Sequence, residues 1–450
     1  MVMGASGSGK STLCYVLAGL APLHTGGERW GTLRVLGSDV AAEPPAPDAV
    51  ALLFQDAATQ LFSTTVENEV AWGLETLAVP SHEIGPRVLE ALQRFGLLEC
   101  RYQPPWKLSG GQQKRLTLAA LWSLHPRFFL LDEPLGGVDP AGRAEVLSAL
   151  NLLRGEGTTL LFTTPHLDEQ WQDVELADTA ALLAEGQLSV PEAAAGLRTQ
   201  EARLIAAGLR CPSALWEALH RYRGTYQDSP AIEIHNLRSR YLDGPPILHG
   251  IDLTIPRGQF VALVGPNGAG KTTLVRHLNG LLRPVTGSLR IMGQESASLS
   301  VGQLARDVGF LFQRPERQIF GTTVREEVAY GPRQLHLPDV DEKVARVLDQ
   351  FGLARVADWP PAILSYGAQR SVTLAALAAL ETPILVLDEP TVGLDGRGRA
   401  QLLSWLAQCR AKGTTLVLVT HEMSLAAAAD RVITLEAGRI VDDSMPEGLP

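Results

Sequence analysis

Two stretches of this 450-residue chain have the residue types and spacing that hold a phosphate group. Gly4-Ala5-Ser6-Gly7-Ser8-Gly9-Lys10-Ser11, followed by Thr12, reads G-x-x-x-x-G-K-[ST]. So does Gly265-Pro266-Asn267-Gly268-Ala269-Gly270-Lys271-Thr272, followed by Thr273. Glycines let the backbone curl so that several N–H groups point inward at phosphate oxygens. The helix opened by each lysine adds its positive end. The lysine reaches the β- and γ-phosphates, and the Ser11 or Thr272 hydroxyl is placed for Mg2+. Two further runs, RFFLLDEP and PILVLDEP, end in paired carboxylates. Asp132 or Asp388 is placed to hold Mg2+ directly or through water. Glu133 or Glu389 is placed to polarise an attacking water. Gln55 and Gln313 follow short apolar strands, where an amide can contact Mg2+ and water together. His166 and His421 end apolar strands, where an imidazole can donate to a γ-phosphate.

These residues need elements to carry them, and the chain supplies the same elements twice. FQ at 54–55 recurs at 312–313, QLFSTTVENEVAWG recurs as QIFGTTVREEVAYG, and LSGGQQKRLTLAAL recurs as LSYGAQRSVTLAAL. The spacing between copies shrinks from 261 residues (Lys10 to Lys271) to 255 (His166 to His421). That small drift means loop changes between two copies of one domain. Gln55, Gln313, His166 and His421 taken singly would read as ordinary loop and strand-end residues. Their register in the repeat argues for function. The apolar runs before each Asp-Glu pair predict buried parallel strands whose carboxyl ends face a ligand crevice. The expected fold class is α/β, with a mostly parallel sheet at the core of each copy. The expected division is residues 1–190, a helical connector over 191–230, and residues 231–450. Pro212, Gly224 and Pro230 punctuate the connector, and ALWEALHRY gives it an amphipathic patch. The second copy has a run of strands from about Ile232 to Val264, whereas only Met1, Val2 and Met3 precede Gly4. This contrast gives the expectation of a further segment of about 30 residues upstream, carrying a strand.

Composition excludes several classes. Hydrophobic residues make up 45% and charged residues only 20%, so the chain can build a packed core and does not read as disordered. The net charge of −10 lacks the uniform positive field of a non-specific nucleic-acid binder, so no nucleic-acid partner is expected. Cys14, Cys100, Cys211 and Cys409 lie far apart with no C-x-x-C pair, against a zinc site or a disulfide framework. The most apolar stretch, Val372 to Leu387, is broken by Glu381, Thr382 and Pro383. No run reaches the ~18–20 residues that span a bilayer, and no secretory leader pattern is visible. The expectation is a soluble intracellular protein.

LSGGQ before a helix, between a phosphate loop and an LLDEP strand, resembles the signature of ATP-binding-cassette (ABC) ATPases. The resemblance covers nearly the whole chain in two copies and implies two P-loop NTPase domains in tandem, each a mostly parallel sheet core with a helical subdomain, with ATP and Mg2+ as cofactors. In that family two cassettes pack head to tail, so each phosphate loop faces the partner's signature helix. Here the pair would be intramolecular and pseudo-twofold. Ser109, Gly110, Gly111 and Gln112 would close on the nucleotide of Lys271, Thr272, Gln313, Asp388, Glu389 and His421. Ser365, Tyr366, Gly367 and Ala368 would close on that of Lys10, Ser11, Gln55, Asp132, Glu133 and His166. The sequence departs from the family at Tyr366 and Ala368, and Pro165 precedes the first histidine. Tyr241 is the candidate for the aromatic that the family stacks on adenine, and the first copy has none. If position 366 needs a left-handed backbone, tyrosine there costs ~1–2 kcal/mol. The resemblance together with these departures makes the site of Glu389 the stronger of two.

A narrower resemblance covers FQDAATQLFSTTVENEVAWG and FQRPERQIFGTTVREEVAYGP. These look like the segment after the glutamine loop in energy-coupling-factor (ECF) transporter ATPases. There it forms the groove for helices of a transmembrane coupling protein, which works with a substrate-binding membrane protein. Capping boxes Thr64–Glu67 and Thr323–Glu326 are expected to start the helices. Phe62, Trp72, Phe320 and Tyr330 suit helix-in-groove docking, although about half of them would serve as core. The implied place is the cytoplasmic face of a membrane, and the implied cargo a vitamin or metal ion. Alternatives are the tandem ATPase of a sugar-type importer and a soluble ABC protein acting away from membranes.

Overall fold

The computed structural model describes residues 1–40, 44–167, 171–222, 226–241, 244–315 and 318–445, and statements of absence below concern these residues alone. Gly224 lies outside them. The chain forms two compact units, Met1–Arg210 and Cys211–Pro450.

The first unit is built on a sheet in the order Val50–Leu53, Phe128–Leu131, Thr159–Thr164, Val2–Met3, Thr179–Ala184, Gln187–Leu188. The first five strands run parallel, and Gln187–Leu188 turns back antiparallel. The second unit repeats the order with Val308–Leu311, Ile384–Asp388, Thr415–Val419, Phe260–Val264, Arg431–Glu436 and Arg439–Ser444. Five of these are again parallel. The run FFLL and the run ILVLD sit inside their sheets with nearly every residue buried, as runs covered by helices on both faces must. The order sends the phosphate loop, the Asp-Glu pair, the glutamine and the histidine to the same carboxyl edge in both units. The second unit adds a four-stranded antiparallel sheet containing Pro230–Arg240, Pro246–Pro256, Thr286–Ile291 and Gln294–Glu295. The first unit has the short pair Arg34–Val35 with Ser38–Asp39.

A helical layer packs beside each sheet. It comprises Val66–Thr76, Ser81–Arg94 and Gly110–Trp122 in the first unit. The second has Val324–Gln334, Val340–Gln350 and Tyr366–Leu380. Val66, Val70, Leu74, Leu92 and Leu116 meet in one core cluster, and Val324, Val328, Val344, Val347 and Leu374 in its counterpart.

The expected capping box Thr64–Glu67 is not formed. Thr65 is the cap and accepts from Asn68 N, and the helix starts one residue later. The reason is that the Glu67 carboxylate is taken by Arg101 Nη2 at 2.8 Å. In the second unit Thr323 does cap, accepting from Glu326 N at 3.1 Å. The reciprocal bond is missing there because the Glu326 carboxylate accepts from the Thr322 hydroxyl.

The stretch read as a connector divides. Ala194, Leu197, Leu204 and Leu209 bury against Met3, Leu167 and Val174 of the first unit. The helix Ser213–His220 buries Leu219 in the second unit's core, with Leu215 and Trp216 beside it.

Candidate functional site

Gly9 and Gly270 both sit at φ +100 at the start of their helices, a left-handed conformation that suits glycine. Gly4 and Gly265 end the central strands, where a Cβ would lie 2.4 Å from Leu183 O or 2.1 Å from Leu435 O. Each loop lysine folds over its own loop. Lys10 Nζ donates to Gly4 O at 2.8 Å and Ala5 O at 3.1 Å. Lys271 Nζ donates to Gly265 O at 2.7 Å and Pro266 O at 2.9 Å. Tyr241 lies beside the second loop's helix, its hydroxyl 3.3 Å from Thr273 Oγ1.

The acidic pairs stand at the ends of Phe128–Leu131 and Ile384–Asp388. Glu133 at φ +49 and Glu389 at φ +51 are left-handed non-glycine residues at equivalent positions. Such strain persists only where surrounding structure holds it, and it clusters at functional sites. Beyond the backbone the two sites differ. Gln55 Nε2 donates to Glu133 Oε2 at 2.8 Å, and Lys10 Nζ lies 3.7 Å from Glu133 Oε1. Burial raises the Glu133 pKa, against the pull of Lys10. Glu389 Oε2 instead meets His421 Nδ1 at 2.9 Å. Thr163 Oγ1 donates to Asp132 Oδ1 at 2.7 Å, while Asp132 Oδ2 is buried with no hydrogen-bond partner. Thr272 Oγ1 donates to Asp388 Oδ2 at 3.0 Å, and burial pushes the Asp388 carboxyl up to about 6. A buried acceptor without a donor and a second carboxyl held against ionisation both suit a divalent cation. Ser11 stands at the head of the first loop's helix, one residue after Lys10. Gln313 is exposed beyond Val308–Leu311. The Thr164 hydroxyl lies 2.7 Å from His166 O.

Ser109 caps the signature helix in a full box. Its Oγ accepts from Gln112 N, and Gln112 Oε1 accepts from Ser109 N at 2.9 Å. Ser365 accepts from Ala368 N, but the alanine has no side chain to return the bond. The left-handed backbone considered for position 366 is not found: Tyr366 opens its helix, and neither it nor Gly110 has positive φ. A Cβ at Gly110 would meet nothing closer than 3.8 Å, so position 366 has room for one. The Tyr366 ring lies over Gly393 of the same unit.

Sequence reasoning missed several supporting residues. Lys114, buried in the signature helix, donates to Glu133 O, Pro134 O and Gly136 O at 2.7–3.0 Å and so holds the turn that carries Glu133. Its equivalent Arg370 goes instead to Phe312 O at 2.6 Å and to Gln313 O. Glu69 and Glu327 are buried carboxylates that accept from Phe62 N and Ser63 N, or from Phe320 N and Gly321 N. Gln60 and Gln318 bridge the strand ends by accepting from Phe54 N and Phe312 N. The signal for these last four was their identity in the repeat.

Two phosphate loops, each on the central strand of a parallel sheet with an Asp-Glu pair and a capped signature helix, define a tandem P-loop ATPase. The ABC transporter family matches residues 1–136 and 248–392, and the chain belongs to that family as an ATP-binding and ATP-hydrolysing protein. A protein of Methanosarcina acetivorans, named as an ABC transporter ATP-binding protein, is 32% identical over 99% of this chain and 84% of its own length. One of Caldanaerobacter subterraneus with the same kind of name is 31% identical over 98% and 84%. A relative in Bifidobacterium longum is 33% identical over 96% of this chain, which spans 61% of that protein's length. Among solved structures, cbiO1 from Clostridium perfringens, described as part of the ABC transporter complex cbiONQ, aligns with 49% of this chain and 90% of its own. The identity there is 29% and the TM-score 0.44. No described helix is long and apolar enough to cross a membrane.

Proposed function

We propose that the chain is the ATPase subunit of an ECF-type importer, held at the cytoplasmic membrane face by a transmembrane coupling protein that also engages a substrate-binding membrane protein. The observation that carries this is a pair of matched exposed aromatic ridges. Phe62 and Trp72 are 61% and 50% exposed, with rings edge to face at 4.8 Å. Phe320 and Tyr330 are 62% and 47% exposed, with rings edge to face at 4.4 Å. Paired large aromatics left exposed to water on each unit suit docking to an apolar helix. Each cassette receives one helix. The motifs of the first cassette lie within residues 1–190 and those of the second within 231–450, the stretch 191–230 is divided between the two units, and the two close head to tail within the chain. Ser11, Gln55 and Asp132, and Thr272, Gln313 and Asp388, would hold Mg2+. When bound there, the ion would supply positive charge against the phosphates. Glu133 and Glu389 polarise the attacking water, and Tyr241 stacks on adenine. Vitamins and metal ions are the cargo classes that follow from this reading.

The test is co-purification from membranes of the native host with the tagged chain. Phe62→Glu with Phe320→Glu should release the membrane partner and leave ATP binding intact. Unchanged recovery of the partner with both substitutions would place docking elsewhere.

A further inference from the structure

We infer that Glu422, fixed by Arg399 and Thr391, is a positioning residue that holds His421 against Glu389. The inference rests on the reading that Glu389 polarises the attacking water, and it adds residues that the motifs do not contain. Arg399 comes from the helix Gly396–Ala411 and grips Glu422 with both guanidinium arms. Nη1 donates to Oε1 at 2.9 Å and Nη2 to Oε2 at 2.6 Å. Thr391 Oγ1 also donates to Glu422 Oε1 at 2.6 Å, and Glu422 N donates to Thr420 Oγ1 at 3.0 Å. Thr391 lies two residues after Glu389, and Glu422 directly follows His421. His421 Nδ1 approaches Glu389 Oε2 to 2.9 Å, a charge contact and not an aligned hydrogen bond, and with it the residues close a ring. It runs from Glu389 through Pro390 to Thr391, across to Glu422, back along the chain to His421, and across to Glu389.

The physical case is that of a bidentate clamp. Two parallel charge-assisted bonds fix the carboxylate in a plane, and the half-buried setting keeps water from competing. A carboxylate so fixed cannot rotate, so the backbone of its neighbour His421 is fixed with it. The turn after Glu389 is tied to the same carboxylate through Thr391. Both partners of the His421–Glu389 contact are thus set by one side chain.

The other copy supplies an internal comparison. Leu167 stands where Glu422 stands, and Leu135 where Thr391 stands. Neither can join such a ring of polar contacts through its side chain. Arg143, the equivalent of Arg399, turns to Asp173 Oδ1 at 2.5 Å and Gln172 Oε1 at 2.8 Å. Glu133 in that copy is held by Gln55 and faces Lys10. The ring is closed in the copy where the glutamate meets its histidine.

The test compares steady-state ATP turnover of Glu422→Gln, Thr391→Val, Thr391→Ser, the double variant Thr391→Val/Glu422→Gln, and Glu389→Gln in the full chain. Glu422→Gln and Thr391→Val should each lower kcat about tenfold with KM for ATP nearly unchanged, because what is lost is alignment and not nucleotide contact. Thr391→Ser, which keeps the hydroxyl, should recover most of kcat. The double variant should be no slower than the slower single one, as expected for members of one ring. Unchanged kcat in both single variants, with turnover abolished by Glu389→Gln, would overturn the inference alone. So would a kcat loss matched by KM, or losses that multiply in the double variant. Turnover that survives Glu389→Gln would overturn the reading of Glu389 itself and the inference with it. If Glu422→Gln does not fold, the Thr391→Val and Thr391→Ser pair still decides the matter, since the change is one methyl for one hydroxyl.

Discussion

Asp388 is a carboxyl whose own fold opposes its charge. Burial raises its pKa to about 6, and the hydroxyl of Thr272 offsets this only in part. A folded value above the ordinary carboxylate value means that the proton stabilises the fold at low pH. That contribution is complete below pH ~4 and is lost as pH rises through about 6. At pH 7.5 the nucleotide-free protein carries the cost of an ionised buried acid. Asp388→Asn should therefore raise its stability by about 2–3 kcal/mol at pH 7.5, and the gain should shrink toward pH 4. Denaturant unfolding of both forms across that range checks this, and a gain that grows toward low pH would contradict the assignment. Lys114 poses the opposite case. Burial lowers its pKa to about 8, yet three carbonyls of the turn after Glu133 depend on its ammonium. Lys114→Met leaves those carbonyls without their donor, and the expected cost is about 1–3 kcal/mol in the first unit. Differential scanning calorimetry of the full chain checks this, and an unchanged profile would contradict it.

At the scale of elements, one pair of equivalent residues shows how packing sets the worth of an interaction. Arg410 and Asp430 are 1% and 3% exposed and bonded at 2.6 Å. Arg410 also donates to Leu219 O and Ala428 O, so it ties the helix Ser213–His220 to the second unit. In the first unit Arg154 and Asp178 form the same pair in the open, at 41% and 77% exposure. Arg410→Met strands a buried carboxylate and should cost about 3–5 kcal/mol. Arg154→Met should cost well under about 1 kcal/mol. Urea unfolding followed by tryptophan fluorescence distinguishes them, and equal losses would refute the argument. The helix Ser213–His220 covers the buried pair, so its amphipathic pattern in the sequence reported a docking helix of the second unit. Nothing in the pattern told a connector from a core helix, because both need one apolar face.

For the whole molecule, the head-to-tail closure proposed above leads to the expectation of two unequal ATP sites. The signature with a complete capping box, Ser109 with Gln112, would serve the nucleotide of Lys271, where Glu389 meets His421. The signature without the return bond, Ser365 with Ala368, would serve the nucleotide of Lys10, where Glu133 is held by Gln55. Glu389→Gln should nearly abolish turnover and Glu133→Gln should reduce it partially. Equal losses, or a larger loss from Glu133→Gln, would reverse the ranking. Ala368→Gln rebuilds the box and should add ~0.5–1 kcal/mol to the helix start. Together with Tyr366→Gly it should raise turnover in the Glu389→Gln background.

The sequence by itself determined the cassette, its duplication and the residues of each motif. That chemistry is local: a glycine loop, a strand end and a helix start are each written in fewer than ten consecutive residues. The tertiary structure decided which partner each motif residue takes. Glu133 and Glu389 share a motif and a left-handed backbone, yet one faces a glutamine and the other a histidine. Those partners come from segments dozens of residues away, and their approach depends on packing that no local pattern encodes. The cap moved from Thr64 to Thr65 for the same reason, since Arg101 reaches Glu67 only once the fold brings the loop before the signature against that helix. Exposure of Phe62, Trp72, Phe320 and Tyr330 was open for this reason too. An aromatic residue just before or within a helix reads the same in core and surface, and the fold placed all four in water.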